Sequence, residues 1–155
     1  MTYDIQLVDA APRTLAAVKA RTDRAHLGQA ITAGLDKVYT HLRANNVTGL
    51  GHNVVIYRSG APGGAFDIAA GVETPSEITP AGEIVVVRTP GGKAATTAHW
   101  GPYSALAEVH GAVQQWLKDQ GLRQTGLNWE VYGDWSDDPA TLRTDVFYLI
   151  EDRVG

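Results

Sequence analysis

The chain is written twice. Ile31 and Leu106, Val38 and Val113, Leu42 and Leu117, Gly51 and Gly126, and Tyr57 and Tyr132 are matched pairs, each separated by 75 residues (106 − 31 = 132 − 57 = 75). That offset is far longer than a solenoid period, so it marks two fused copies of one unit rather than an array. A chain of 155 residues is expected to form one domain, with halves at about 1–73 and 83–155, and to bury roughly two thirds of the surface its unfolded form exposes.

Each copy reads as strand, strand, helix, strand, strand. Residues 4–8 and 13–21 are extended candidates on either side of the breaker Pro12. Leu27, Ile31, Leu35, Val38 and Leu42 then recur at helical spacing, with Thr22 or Asp23 as N-cap and Asn45-Asn46 as the end. Strands follow at 54–58 and 66–72, joined by the turn-rich run 59–64. Residues 74–82 carry two prolines and a glycine and read as a connector. In the second copy, strands at 83–89 and 93–99 are expected to form a hairpin through Gly91-Gly92. A helix from about Pro102 to Gln120 buries Leu106, Val109, Val113, Trp116 and Leu117 and stops at Gly121. Strands at 128–133 and 145–150 close the chain. The fold class is therefore α+β: duplicated β-α-β-β units forming a mostly antiparallel sheet, two long helices, and a groove between the halves.

Charge and composition narrow the function. A net charge of -4, with scattered basic residues, weighs against direct nucleic-acid binding, which needs clustered Lys and Arg. No apolar run approaches the ~20 residues that span a bilayer, no secretory signal opens the chain, and without cysteine there is no disulfide framework. The chain reads as a cytoplasmic protein with no membrane partner.

Within Asn128-Trp129-Glu130-Val131-Tyr132, one residue is out of character. Aromatic and β-branched residues suit a strand, whereas Glu is depleted there. Alternation puts Asn128, Glu130 and Tyr132 on one face and Trp129 and Val131 on the other. The matching positions of the first copy are Val55 for Glu130 and Val54 for Trp129, and all four tryptophans lie in the second copy. A carboxylate beside a tyrosine and an amide suits a cationic or polarisable ligand, or else marks a strand with one wet face.

Other chemistries find less support. His26, His41, His52, His99 and His110 show no metal-ligand spacing and have no cysteine to join them, so neither metal nor cofactor is expected. His99 reads as a structural histidine sooner than a ligand contact. The Gly-x-Ser-x-Gly elbow is missing, and neither Gly63-Gly64 nor Gly91-Gly92 opens a helix as a phosphate cradle would. Asp134, Asp137 and Asp138 lack the rest of a calcium-loop pattern. Trp135, in the same polar loop, could close over a groove or anchor the loop.

The ordered set Gly91-Gly92-Lys93, His99-Trp100-Gly101-Pro102-Tyr103, the Trp116 helix and Trp129-Glu130-Val131-Tyr132 resembles the GyrI-like small-molecule-binding domain. That domain also serves as the effector-binding part of AraC-type and MerR-type multidrug regulators. The resemblance covers nearly the whole chain. It implies an aromatic-lined groove between the halves with a carboxylate at its base for hydrophobic, cationic or polycyclic compounds, with a role in drug sensing or resistance. By position in the motif, Glu130 matches the family carboxylate, and Tyr132, Trp100 and Tyr103 fall in or near pocket-lining segments, with Trp135 a further candidate. Stand-alone members of the family include hydrolases of strained cyclopropane-bearing natural products, in which case Glu130 would be catalytic; others bind and inhibit DNA gyrase. The helix-turn-helix of the regulators is not expected here, since the first strand begins within a few residues of Met1.

A carboxyl group in such a groove is expected to have a raised pKa, because burial disfavours its charge. An arriving lipophilic cation would then release a proton, and tolerant aromatic walls would give broad specificity.

Overall fold

The computed structural model describes residues 3–59, 62–134 and 136–151. In chain order the elements are β1 (Gln6–Ala10), β2 (Thr14–Thr22), α1 (Leu27–Ala44), β3 (Asn53–Arg58), β4 (Phe66–Glu73), β5 (Ile84–Arg88), β6 (Gly92–Trp100), α2 (Leu106–Asp119), β7 (Gln124–Tyr132) and β8 (Arg143–Ile150). The strands form one sheet in the order β1-β6-β8-β7-β3-β4-β2-β5, with every pairing antiparallel. The fold is α+β, with two helices on a duplicated antiparallel sheet.

The helix stripes behave as their spacing requires. Val38 and Leu42 of α1, and Val113 and Leu117 of α2, are buried at matching positions of the two copies. Helix α1 lies on β2, β4 and β5, whereas α2 lies on β6 and β8. At Gly34 a side chain would already press on Ala70 (3.3 Å), so the glycine lets α1 approach the sheet closely. Asn46, with φ of 54°, and Gly121, with φ of 69°, end the two helices in the left-handed conformation. Neither Thr22 nor Asp23 is the N-cap of α1. That position is His26, whose backbone N–H and ring both meet the Asp23 carboxylate, so Asp23 braces the turn before the helix. A short 3₁₀ turn at Tyr103–Ala105 precedes α2, which therefore starts later than its proline suggests. No helix among the described residues is long and apolar enough to cross a membrane.

One expectation fails instructively. The Gly91-Gly92 link is not a hairpin: β5 pairs with β2 of the first half, and β6 pairs with β1 and β8. The first strand of each half is thus exchanged onto the other half. Pro12 and Pro90 stand at equivalent places in the two links (90 − 12 = 78, the offset between Thr14 of β2 and Gly92 of β6). The fixed negative φ of proline does not suit the primed turns of a tight hairpin, and the residue before it is held extended, which favours a link that carries the chain across. The crossing links are tied together: Arg13 N–H donates to Thr89 Oγ1 at 2.8 Å, and Thr89 N–H to the Arg13 carbonyl at 3.0 Å.

The face of the sheet away from the helices is also buried. Leu15, Ala17, Val54, Ile56, Ala94 and Trp129 form one apolar cluster there, with Trp129 stacked on Phe147 at 5.1 Å between ring centres. Among the described residues this cluster is built from strands alone, so the strands themselves keep water from that side. Gly71 marks the tightest point of this packing, because a Cβ there would lie 2.4 Å from the Ala16 carbonyl oxygen and 2.8 Å from Ala17 Cβ. Gly71→Ala is therefore expected to destabilise the fold by about 1–3 kcal/mol. Urea unfolding measures the loss, and an unchanged midpoint would contradict this packing.

Candidate functional site

Strands β3 and β7 lie side by side, and Val55 is the register partner of Glu130. Val55 is also the repeat equivalent of Glu130 (130 − 55 = 75). A residue that is at once partner and equivalent lies beside the symmetry axis, so the pseudo-two-fold passes between these two positions. Tyr57 and Tyr132, also repeat equivalents, follow two residues on in their own strands. Alternation along β3 and β7 puts all these side chains on the helix side of the sheet, opposite Trp129.

Glu130 is 3% exposed, and its charge is met from three directions. The hydroxyls of Tyr57 and Tyr132 donate to Oε1 at 2.5 and 2.7 Å, and His110 Nε2 lies 2.8 Å from Oε2. His110 comes from α2, and its other ring nitrogen, Nδ1, lies 2.6 Å from the Tyr148 hydroxyl of β8. Gln114, one turn further along α2, donates to the same hydroxyl at 3.4 Å.

The electrostatics reverse the expectation of a raised pKa. Burial is the largest single influence on Glu130 and disfavours its charge, but the hydrogen bonds from His110 and Tyr57, the attraction to His110 when that ring is charged, and the Tyr132 hydrogen bond together outweigh it. The net result is a pKa below the usual carboxylate value. Burial first, and then the Glu130 charge, push Tyr57, Tyr132 and Tyr148 upward, which keeps them protonated as donors. A bare carboxyl in an apolar groove would be neutral; this one is solvated by protein groups and stays ionised. Proton release from Glu130 on ligand binding is accordingly not expected.

Above this cluster lies a groove of about 1580 Å³, lined from both halves. One side is walled by Leu27, Ile31 and Leu35 of α1, and the floor carries Glu130 with its tyrosines. The volume exceeds the roughly 300–1,000 Å³ of an ordinary small-molecule pocket.

The residues singled out from sequence fare differently. Glu130 and Tyr132 lie on the groove floor, and Tyr103 lines the groove with its ring edge-to-face on Tyr132 at 5.5 Å. Trp100 is placed elsewhere. It is 60% exposed and outside the groove lining, with the Arg143 guanidinium 5.5 Å from its ring centre. The cause is strand parity: His99, next to it at the end of β6, turns inward, so Trp100 turns out. His99 is structural, with Nε2 at 3.1 Å from the Pro102 carbonyl. Trp135 lies outside the described residues. His110, Tyr57 and Tyr148 join the site without a family motif that points to them. Tyr57 carried a signal as the repeat partner of Tyr132. His110 carried one as a polar residue inside the inward stripe of α2, between Val109 and Val113.

The GyrI-like small-molecule-binding-domain family model matches residues 3–151. The chain belongs to this family. Among solved structures, this GyrI-like chain is similar to the EcmrR C-terminal domain, with a TM-score of 0.79 at 19% identity, covering 99% of this chain and 100% of that one. It is also similar to SAV2435 bound to tetraphenylphosphonium (TM-score 0.68, 14% identity, 97% and 94% coverage) and to a hydrolase from Listeria innocua (TM-score 0.64, 12% identity, 95% and 91% coverage). At such identities these likenesses establish a shared fold. No curated protein sequence matches the chain.

The depressed pKa of Glu130 has a pH signature. A group whose folded pKa lies below its unfolded value adds stability above the unfolded pKa and loses it as pH falls through the folded pKa. Tyr57→Phe removes one donor, so it should raise the Glu130 pKa, cost about 1–2 kcal/mol near neutral pH, and shrink the difference in stability between neutral and acid pH. Denaturant titrations of both proteins from about pH 3 to 7 test this; parallel stability curves would show that the Tyr57 bond does not hold the charge.

Proposed function

We propose that this GyrI-like domain binds hydrophobic cations, including polycyclic ones, in the groove over Glu130, with the carboxylate as the electrostatic anchor. One observation carries the reading: Glu130 is buried and ionised, and its bonds hold it in place at the floor of a large groove with apolar walls. A cation that enters meets a charge already formed, so no free energy is spent on removing a proton. Tyr103 and the rings around Glu130 offer cation–π contacts of about 0.5–2 kcal/mol each. Size and shape are only loosely set by apolar side chains, which favours a range of ligands over one.

The probe is tetraphenylphosphonium, whose charge does not titrate. Isothermal calorimetry should show binding to the native protein, and Glu130→Gln should weaken it at least about tenfold, or about 1.4 kcal/mol. The same variant should hardly alter binding of triphenylphosphine oxide, a neutral molecule with similar rings. Equal losses for both would mean that Glu130 shapes the groove and does not anchor charge.

A second reading, hydrolysis of a strained cyclopropane-bearing ligand, is supported by the chain from Tyr148 through His110 to Glu130. A carboxylate can accept about four hydrogen bonds, and three are made here by described residues. The remaining site could hold a water molecule for general-base attack. The lowered pKa argues for the first reading, because it makes Glu130 a better counter-charge than base. Turnover would add one water to a cyclopropane-bearing substrate, with ¹⁸O label from solvent, and Glu130→Gln should abolish the gain; recovery of unaltered ligand leaves binding as the function.

A further inference from the structure

The hydrogen bonds around Glu130 run in one direction. The Gln114 amide donates to Tyr148, and the Tyr148 hydroxyl has a single proton to give. If that proton goes to His110 Nδ1, then His110 Nε2 carries the hydrogen and donates to Glu130 Oε2. Every member of the chain is then satisfied with His110 neutral and Glu130 charged. The cluster presents a net negative charge to the groove. Protonation of His110 would put a hydrogen on both ring nitrogens, force the Tyr148 hydroxyl to turn its proton elsewhere, and cancel the carboxylate's charge.

This chain of polar groups belongs to one copy only. The repeat equivalent of His110 is Leu35 (110 − 35 = 75) and that of Glu130 is Val55. Tyr148 partners Asn128 as Val72 partners Asn53 (128 − 53 = 75), so its counterpart is Val72. Leucine and two valines stand where histidine, glutamate and tyrosine do the work. The His110 side chain is 22% exposed, so solvent protons can reach it.

We propose that His110 is a specificity-determining residue of the groove, which acts through Glu130 by setting the charge that a ligand meets. While His110 is neutral the groove selects cations; once it is protonated the preference for cations is lost. Other ionisable groups face it. Glu130 and Tyr132 come from β7, Tyr57 from β3 with its ring 6.4 Å away, and Tyr148 from β8 with its ring 5.5 Å away. Tyr103 precedes α2, and further along the groove stand Tyr39 of α1, Asp23 and Arg24 before it, and His52 beside Asp134. The tyrosines with resolved shifts are pushed upward, and Glu130 and Asp23 are held low, each away from the mildly acid range. His52 is 4.0 Å from Asp134 and is controlled by its own variant.

The inference rests on cation binding in the groove, and one set of titrations separates the two. Calorimetry with tetraphenylphosphonium is run from about pH 8 to about pH 5, the range in which histidine changes charge, on the native protein, His110→Gln and His52→Gln. Glutamine can still donate to Glu130 but cannot be protonated. The native protein and His52→Gln should lose at least about tenfold in affinity across this range and release protons on binding near its lower end, as shown by buffers of different ionisation enthalpy. His110→Gln should bind with an affinity that hardly changes with pH and release none. Circular dichroism checks that each variant is folded; should His110→Gln not fold, NMR titration of the native His110 ring with and without ligand gives the same answer, because a cation must then hold His110 neutral to lower pH. A flat native profile, a profile that survives His110→Gln, or one that disappears with His52→Gln would overturn the role of His110 while leaving the groove intact. Absence of binding at every pH would remove the groove reading and this one together.

Discussion

The pairing of β3 with β7 carries the rest of the molecule. It joins the two half-sheets, and its register sets Val55 directly against Glu130 on either side of the pseudo-two-fold. Shifted by one residue, the same strands would turn Glu130 toward the apolar cluster of Trp129 and Ile56, where no donor could meet its charge. In the observed register, Tyr57 and Tyr132 converge on one carboxylate oxygen from opposite copies. The exchange of β1 and β5 between the halves fastens this seam from the sheet edges, so the floor of the groove is held from several strands at once.

Symmetry also explains why only one acid is present. Acids at both central positions would stand face to face in adjacent strands, and like charges that close cannot both ionise in a buried site. Keeping valine at position 55 leaves one charge with all the available donors. The departure from symmetry then spreads to the neighbours of that charge, since His110 and Tyr148 have apolar repeat equivalents, Leu35 and Val72, in the other copy. A scaffold symmetric in backbone thus holds a groove with one polar end and one apolar wall.

Much of the fold was legible in the sequence. Helical stripes and their repeat at a fixed offset identified both helices and the buried faces, because a 3.6-residue period leaves a clear trace in residue type. Strand alternation placed Glu130 and Tyr132 together and Trp129 opposite. The hairpin expected at Gly91-Gly92 does not form, because flexible glycines permit a tight turn without requiring one; Pro90 beside them and the partner offered by β2 decide otherwise. Trp100 lies outside the groove for a related reason. Its motif located the segment, but which side chain faces inward depends on where β6 lies in the sheet.

The sequence by itself determined the duplicated α+β plan, the two amphipathic helices and the presence of an unusual acid in a good strand. These follow from local spacing, which needs no knowledge of distant partners. Tertiary structure alone decided the charge state of Glu130. Tyr57 lies 73 residues away and His110 20 residues away in the chain, and only folding brings their hydrogen atoms to the carboxylate. Burial without them would have neutralised the acid; burial with them keeps it charged.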